Sequence, residues 1–218
     1  MSGLFEEQKR YYAARAPEYD DWWYRRGRYA LDGEQERGWL EDVAEAEERL
    51  RAFAPAGDVL ELAAGTGIWT RKLVPLSRRV VAVDANVETL ALNTPAAELV
   101  QADMFAWRPE RRFDVCFFSF WLSHVPAERF DEFWRLVRSA LKPGGRVFLV
   151  DNAAGGEGTH TTGRREGEET RTISDGRTFR IVKHYWTPDQ LAGLVRPLGF
   201  ELELANTGNR HFLVGAGA

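Results

Sequence analysis

The chain has a single cysteine, Cys116, among its 218 residues. It therefore cannot close an internal disulfide, and the apolar run around Cys116 marks it as a small buried hydrophobe. Basic residues are not in excess: 29 Lys and Arg stand against 33 Asp and Glu, a formal net charge of −4. A nucleic-acid binder normally shows the opposite balance, so no nucleic-acid partner is expected. No apolar stretch approaches the ~20 residues that span a bilayer. The opening MSGLFEEQKR has no signal-peptide core. No membrane partner is expected, and the protein reads as soluble and cytoplasmic. The Gly-Lys-Ser/Thr of a phosphate-cradling loop is missing. No internal repeat is present, no metal site is expected, and the sequence does not fix an oligomeric state.

What is present is alternation. Short apolar runs at 58–62, 79–84, 98–102, 113–120 and 146–151 read as strands, with helical segments at 67–76, 86–93, 127–141 and 188–197 between and after them. The segment 127–141 sets Phe130, Phe133, Trp134, Val137 and Leu141 on one face, and Lys142-Pro143-Gly144-Gly145 supplies its stop. Such alternation predicts a parallel sheet with crossover helices. Strands at 200–205 and 210–215 close the chain. Residues 1–56 read as helical, with Trp39, Leu40, Val43, Leu50 and Phe53 at helical spacing, and Pro17 is expected to break any helix near it. Ala153 to Gly167, rich in Gly, Thr, Glu and Arg, reads as a mobile loop. A hydrophobic content of 44% supports one domain over 1–218. Its parts are an N-terminal helical region (1–56), a core (57–152), a loop and hairpin insertion (153–187) and a C-terminal helix with strands (188–218).

The densest stretch is Val59-Leu60-Glu61-Leu62-Ala63-Ala64-Gly65-Thr66-Gly67. A strand runs into a tight Gly-x-Gly turn, which lets the backbone bend and a ligand approach without a Cβ in the way. Open α/β sheets bind nucleotides at this place. A dinucleotide fingerprint would have a third glycine three residues after Gly67, where Thr70 stands. Asp84 ends the next strand, 17 residues after Gly67, and Asp103 follows the third. Asp84 could instead cap the helix after it.

Glu61, Gly65, Gly67, Asp84 and Asp103, in this order at strand ends, resemble the cofactor motifs of class I S-adenosylmethionine-dependent methyltransferases. The resemblance covers roughly residues 10–216. It implies an α/β, Rossmann-like fold: a seven-stranded, mostly parallel sheet with helices on both faces and an antiparallel hairpin at its end. The cofactor would be S-adenosylmethionine and the product S-adenosylhomocysteine. Glu61 and the loop at Ala63, Gly65 and Gly67 would face the methionine end. Asp84, beside Ala85, would accept from the ribose hydroxyls. Asp103 would receive the adenine amino group, with Met104 offering its N–H, and Phe120 would line the same cleft. The segment around Pro17 resembles a lid that brings Tyr12 and Tyr19 over the cofactor. The Asn-Pro-Pro-Tyr-type sequence of amino-directed DNA, protein and RNA enzymes is absent, which argues against those substrates.

Between 168 and 186 two strand-like runs flank Ser174-Asp175-Gly176. A three-residue loop would put Arg171 opposite Phe179 and set Glu169, Arg171, Ile173, Phe179, Ile181, Lys183 and Tyr185 on one inward face. A two-residue Asp-Gly turn would instead oppose Arg171 to Arg180, a like-charge pair. Arg164, Arg165, Arg177, Arg180 and His184 add to the basic cluster, most of them as solvent-facing charges. The N-terminal segment, the Trp121-Leu122-Ser123-His124 stretch and the hairpin together resemble bacterial small-molecule O-methyltransferases, phosphonate O-methyltransferases above all. That implies a small anionic partner, foremost a phosphonate, held by Tyr29, Arg171 and Lys183. His124 would be a general base or a residue that positions the acceptor. The alternatives are a phenol or amine methyltransferase with His124 as base, and a non-catalytic S-adenosylmethionine-binding module.

Overall fold

Val, Leu and Phe dominate the central strands because a parallel sheet buries both of its faces. The computed structural model describes residues 2–154, 161–165 and 167–218. Two long helices come first, α1 (Ser2–Trp23) and α2 (Gly33–Phe53). The alternating core follows: β1 (Asp58–Leu62), α3 (Thr70–Leu73), β2 (Arg79–Asp84), α4 (Val87–Leu90), β3 (Glu98–Gln101), β4 (Phe113–Ser119), α5 (Phe130–Ala140) and β5 (Leu141–Asn152). Then come β6 (Thr161–Arg165), β7 (Glu168–Thr172), β8 (Thr178–Val182), α6 (Pro188–Val195), β9 (Leu202–Asn206) and β10 (Phe212–Gly217).

The main sheet has seven strands in the order β3-β2-β1-β4-β5-β10-β9. Its first five run parallel; β10 is antiparallel to both β5 and β9. Side-chain alternation splits each central strand between two cores. Leu60, Leu62, Val81, Val83, Cys116 and Phe118 feed the layer under α5 and α6. Val59, Val80, Ala82, Val115 and Phe117 feed the layer under α2 and α3. The order reverses between β1 and β4, so the carboxyl ends of these strands diverge and open a crevice.

Four expectations need correction. Pro17 does not break α1. A proline inside a helix costs ~3 kcal/mol, but α1 is anchored on both sides of it. Gln8 and Tyr12 hold one half, while Trp22 and Trp23 are buried in the core under α2. The helix expected over 67–76 is confined to Thr70–Leu73 and a 3-10 turn at Val74–Leu76, because Gly67 has φ +86° and cannot join a right-handed helix. Lys142-Pro143-Gly144-Gly145 does end α5 but already belongs to β5. Phe113 faces Leu141 and Val115 faces Arg146, so these four residues form an out-of-register bulge rather than a free turn. Finally, the inserted hairpin is part of a three-stranded sheet, β6-β7-β8. The loop expected over 153–167 is therefore strand at Thr161–Arg165, while 155–160 and 166 lie outside the described residues.

Candidate functional site at the strand carboxyl ends

Both strands that flank the crevice leave the sheet through a left-handed residue that is not glycine, Ala63 after β1 (φ +56°) and Phe120 after β4 (φ +49°). Each costs roughly 1–2 kcal/mol, and strain of this kind gathers at working sites. Beside Ala63, the backbone N–H of Gly65 donates to Asp84 Oδ2 at 2.9 Å, and Asn86 N donates to Oδ1 at 2.9 Å. Burial pushes the Asp84 carboxyl up, and these hydrogen bonds only partly offset it. Gly65 and Gly67 have different tasks. At Gly65 (φ +54°) an added Cβ would meet nothing within 4 Å; it would stand in the open cleft. At Gly67 it would overlap the side-chain oxygen of Asn93.

Asn93 joins a polar chain beneath the loop. Its Nδ2 donates to Gly65 O (3.2 Å) and to Thr70 Oγ1 (3.1 Å), and Thr70 Oγ1 donates to Glu61 Oε2 at 2.6 Å. Glu61 is fully buried, and burial pushes its carboxyl up to about 8. Its position on β1 turns it into the α2-side core. The structure therefore places Glu61 under the loop, where it supports Thr70, and off the cleft wall.

A cleft opens beside these strand ends. From the sheet side it is lined by Ala63, Gly65, Asp84, Ala85, Asp103, Met104 and Phe120. Helix α1 covers it with Phe5, Gln8, Lys9, Tyr12 and Tyr19. Lys9 Nζ lies 2.7 Å from Asp103 Oδ2, and Phe105 N donates to Oδ1 at 3.0 Å. Burial raises the Asp103 carboxyl, but these two donors outweigh it and hold it below the usual range.

The inserted sheet stands against the other side of α1. Its register is the three-residue loop, with Arg171 opposite Phe179, Ile173 N bonded to Arg177 O, and Gly176 at φ +88°. The like-charge Asp-Gly alternative is not adopted. Glu169, Arg171, Ile173, Ile181 and Lys183 are all buried. Arg171 donates to Glu169 Oε2 through Nε (3.1 Å) and Nη2 (2.9 Å). Lys183 Nζ donates to Ser123 Oγ (2.7 Å) and Asn152 Oδ1 (2.6 Å), with Asp151 at 3.9 Å. Burial, helped by Arg171 and against the pull of Asp151, lowers Lys183 to about 7. Arg177 pairs with Asp175 and Arg180 with Glu7 at the surface, and His184 stacks on Trp186. The side chains of Arg164 and Arg165 lie outside the described residues.

His124 is buried between these parts. Its Nδ1 is 2.7 Å from Val182 O and its Nε2 is 2.8 Å from Tyr12 Oη. A carbonyl oxygen only accepts, so Nδ1 carries the proton. Burial, with Lys183 and Arg171 nearby, keeps the ring neutral by lowering its pKa well below the ordinary value. Nε2 then accepts from the Tyr12 hydroxyl. Tyr29 is buried, and its hydroxyl donates to Glu18 Oε1 at 2.9 Å.

Sequence reasoning missed the residues that seat α1. Gln8, 1% exposed, donates to His124 O at 3.1 Å and accepts from Val182 N at 2.9 Å, clasping the helix to both the His124 turn and β8. Lys9 ties the same helix to Asp103. Neither has a local signal, since the partners lie 94 to 174 residues away. Gln8→Ala leaves the Val182 N–H unpaired. It is expected to make cleavage within residues 1–30 by a low dose of trypsin at least several-fold faster, an opening free energy lowered by about 1–3 kcal/mol. Equal cleavage rates for the two proteins would refute the clasp.

Comparison with known proteins agrees with this geometry. The family model of a methyltransferase domain matches residues 31–205. The DhpI structure with S-adenosylhomocysteine is similar at 38% identity and a TM-score of 0.81, over 100% of this chain and 98% of that one. The DhpI–SAM–HEP complex matches at 38% identity and 0.84, over 100% and 99%. The glycopeptide N-methyltransferase MtfA bound to S-adenosylmethionine shares the fold at 22% identity and 0.61, over 82% and 94%. No curated protein matches the chain. With the family model matching most of the chain and a relative 38% identical over its full length, the chain belongs to the S-adenosylmethionine-dependent methyltransferases.

Proposed function

We propose that this enzyme transfers the methyl group to an oxygen of a small anionic acceptor, foremost a phosphonate. The observation that carries the reading is the pair of buried cations, Arg171 and Lys183, on the inserted sheet beside His124 and Tyr12. Glu169 answers Arg171 and Asp151 stands 3.9 Å from Lys183, but buried Arg15 adds a third cation, so an excess of buried positive charge remains for an anion to offset. The likeness to DhpI in complex with both SAM and HEP supports a second small molecule beside the cofactor.

The cleft fits S-adenosylmethionine. A Cβ at Gly65 would stand in the open space that a ligand needs, and Asp84 Oδ2 keeps accepting capacity after its bond from Gly65 N. When bound, the cofactor supplies a methyl group on a positively charged sulfur. The protein's part is to hold, align and dry the site. Arg171, held by Glu169, and Lys183 place positive charge beside the acceptor. An oxyanion is already deprotonated, so no general base is required. Neutral His124 has its Nε2 lone pair engaged by Tyr12, so it serves to hold the Tyr12 hydroxyl in place. This bond also weighs against the phenol or amine reading, in which Nε2 would have to be free to take a proton.

The test is transfer of labelled methyl to ethylphosphonate, a small carboxylate and a phenol, with pH varied. Label is expected in the phosphonate. Its KM should rise as pH rises through about 7, because Lys183 is an ammonium below that point and a neutral amine above it. The bound anion will itself hold that proton and move the limb upward. Lys183→Met should remove the limb while leaving any ionisation of the ligand in place. Efficient labelling of the phenol with none of the phosphonate would sink the proposal.

A further inference from the structure

We propose that Tyr11 and Arg15 of α1 are acceptor-binding residues, donors that the helix brings to the same anion as Arg171. The inference rests on the anionic-acceptor reading and deepens it. The two residues are one helical turn apart and so share a face of α1. Tyr11 is 0% exposed and Arg15 2%. Among the described residues, Tyr11 Oη and both Nε and Nη2 of Arg15 are buried without a hydrogen-bond partner. Orphaned donors of this kind are rare and costly in a folded protein. The Tyr11 ring packs on Ile173 and Ile181, a task that a phenylalanine would do equally well.

The surroundings point to an anion. The Arg15 guanidinium lies over the rings of Tyr19 (5.0 Å), Tyr11 (5.6 Å), Trp22 (5.7 Å) and Tyr29 (5.7 Å). Aromatic faces stabilise its charge but leave the in-plane N–H groups unanswered. Its place is the junction of three parts: Tyr19 lines the cofactor cleft, Tyr11 lies on the inserted sheet, and Tyr29 is the expected acceptor residue. The charge of Arg15 is felt at Arg171, Lys183 and His124. The buried charges here are three cations (Arg15, Arg171, Lys183) against two acids (Glu169, Asp151). An incoming oxyanion would offset the excess and give the orphaned donors a partner. Since α1 also closes the cofactor cleft, one helix would then sense both ligands.

The experiment is calorimetric titration of ethylphosphonate into the protein saturated with S-adenosylhomocysteine. Tyr11→Phe deletes one oxygen and keeps the ring. Arg15→Lys keeps a cation among the rings and loses the fork. Each is expected to weaken ethylphosphonate about 10-fold or more, the range of a hydrogen bond to a charged group, with S-adenosylhomocysteine affinity changed less than about twofold. Wild-type ethylphosphonate affinity in either variant overturns the assignment of that residue. Should wild-type protein itself bind neither ethylphosphonate nor acetate, this proposal and the anionic-acceptor reading fail together. Binding by wild type with both variants unaffected sinks this proposal alone.

Discussion

Gly67→Ala is expected to destabilise the protein by about 2–5 kcal/mol and to abolish measurable S-adenosylhomocysteine binding. A non-glycine residue at φ +86° costs roughly 1–2 kcal/mol by itself. The new Cβ would overlap the Asn93 amide and lie 3.1 Å from the Asn93 Cα, which is backbone and cannot swing away. Displacing Asn93 breaks its bonds to Gly65 O and Thr70 Oγ1, leaving buried polar groups unpaired at ~1–3 kcal/mol each. Gly65→Ala makes the contrast. Its Cβ meets no atom, so the stability loss should stay near the backbone strain alone, yet the methyl enters the cleft and should still weaken the ligand. Denaturant melts and calorimetry on the two variants check this. If Gly67→Ala melts and binds like wild type, the support role of the Asn93–Thr70–Glu61 chain is wrong.

How legible these features were depends on how local their causes are. β1 and β2 were readable to the residue, since a short apolar run ended by an acid or a glycine turn is a local pattern. The hairpin register was readable because two alternatives differ in one like-charge contact. Pro17 misled, since its cost is local while the packing that outweighs it comes from Gln8, Trp22 and Trp23 meeting distant elements. Glu61 was legible as part of a motif, but which way it points depends on strand parity within a two-faced sheet, so its seat under Thr70 was not. Ala63 and Phe120 take left-handed conformations that no residue type announces. His124 was legible as a candidate, but the direction of its proton needed Val182 O and Tyr12 Oη, 58 residues ahead of it and 112 behind.

Arg171→Met should raise the ethylphosphonate KM about 100-fold and lower stability by about 3–5 kcal/mol, while leaving S-adenosylhomocysteine affinity intact. The first effect follows, on the proposed anionic acceptor, from losing a charge-assisted contact. The second follows from removing the cation 2.9 Å from buried Glu169. The two effects separate in the double variant Arg171→Met/Glu169→Gln, which has no stranded charge. It should recover most of the stability and none of the acceptor affinity. The pH dependence supplies an independent check. In the wild type, burial raises the Glu169 carboxyl, but Arg171, with help from Tyr185 and Lys183, more than offsets it, so its pKa lies below the usual value. That contribution to stability is present above the unfolded pKa and lost as pH falls through the folded one. Without Arg171, burial prevails and the folded pKa moves above the unfolded value. Stability of the single variant should then be greatest in mild acid and decline toward pH 8, a slope absent from the double variant. If the single variant keeps its stability but loses acceptor binding, Glu169 does not depend on Arg171 and the pair was assembled for the ligand alone. If KM is unchanged while stability falls, Arg171 is a structural cation and the anionic acceptor loses its main support.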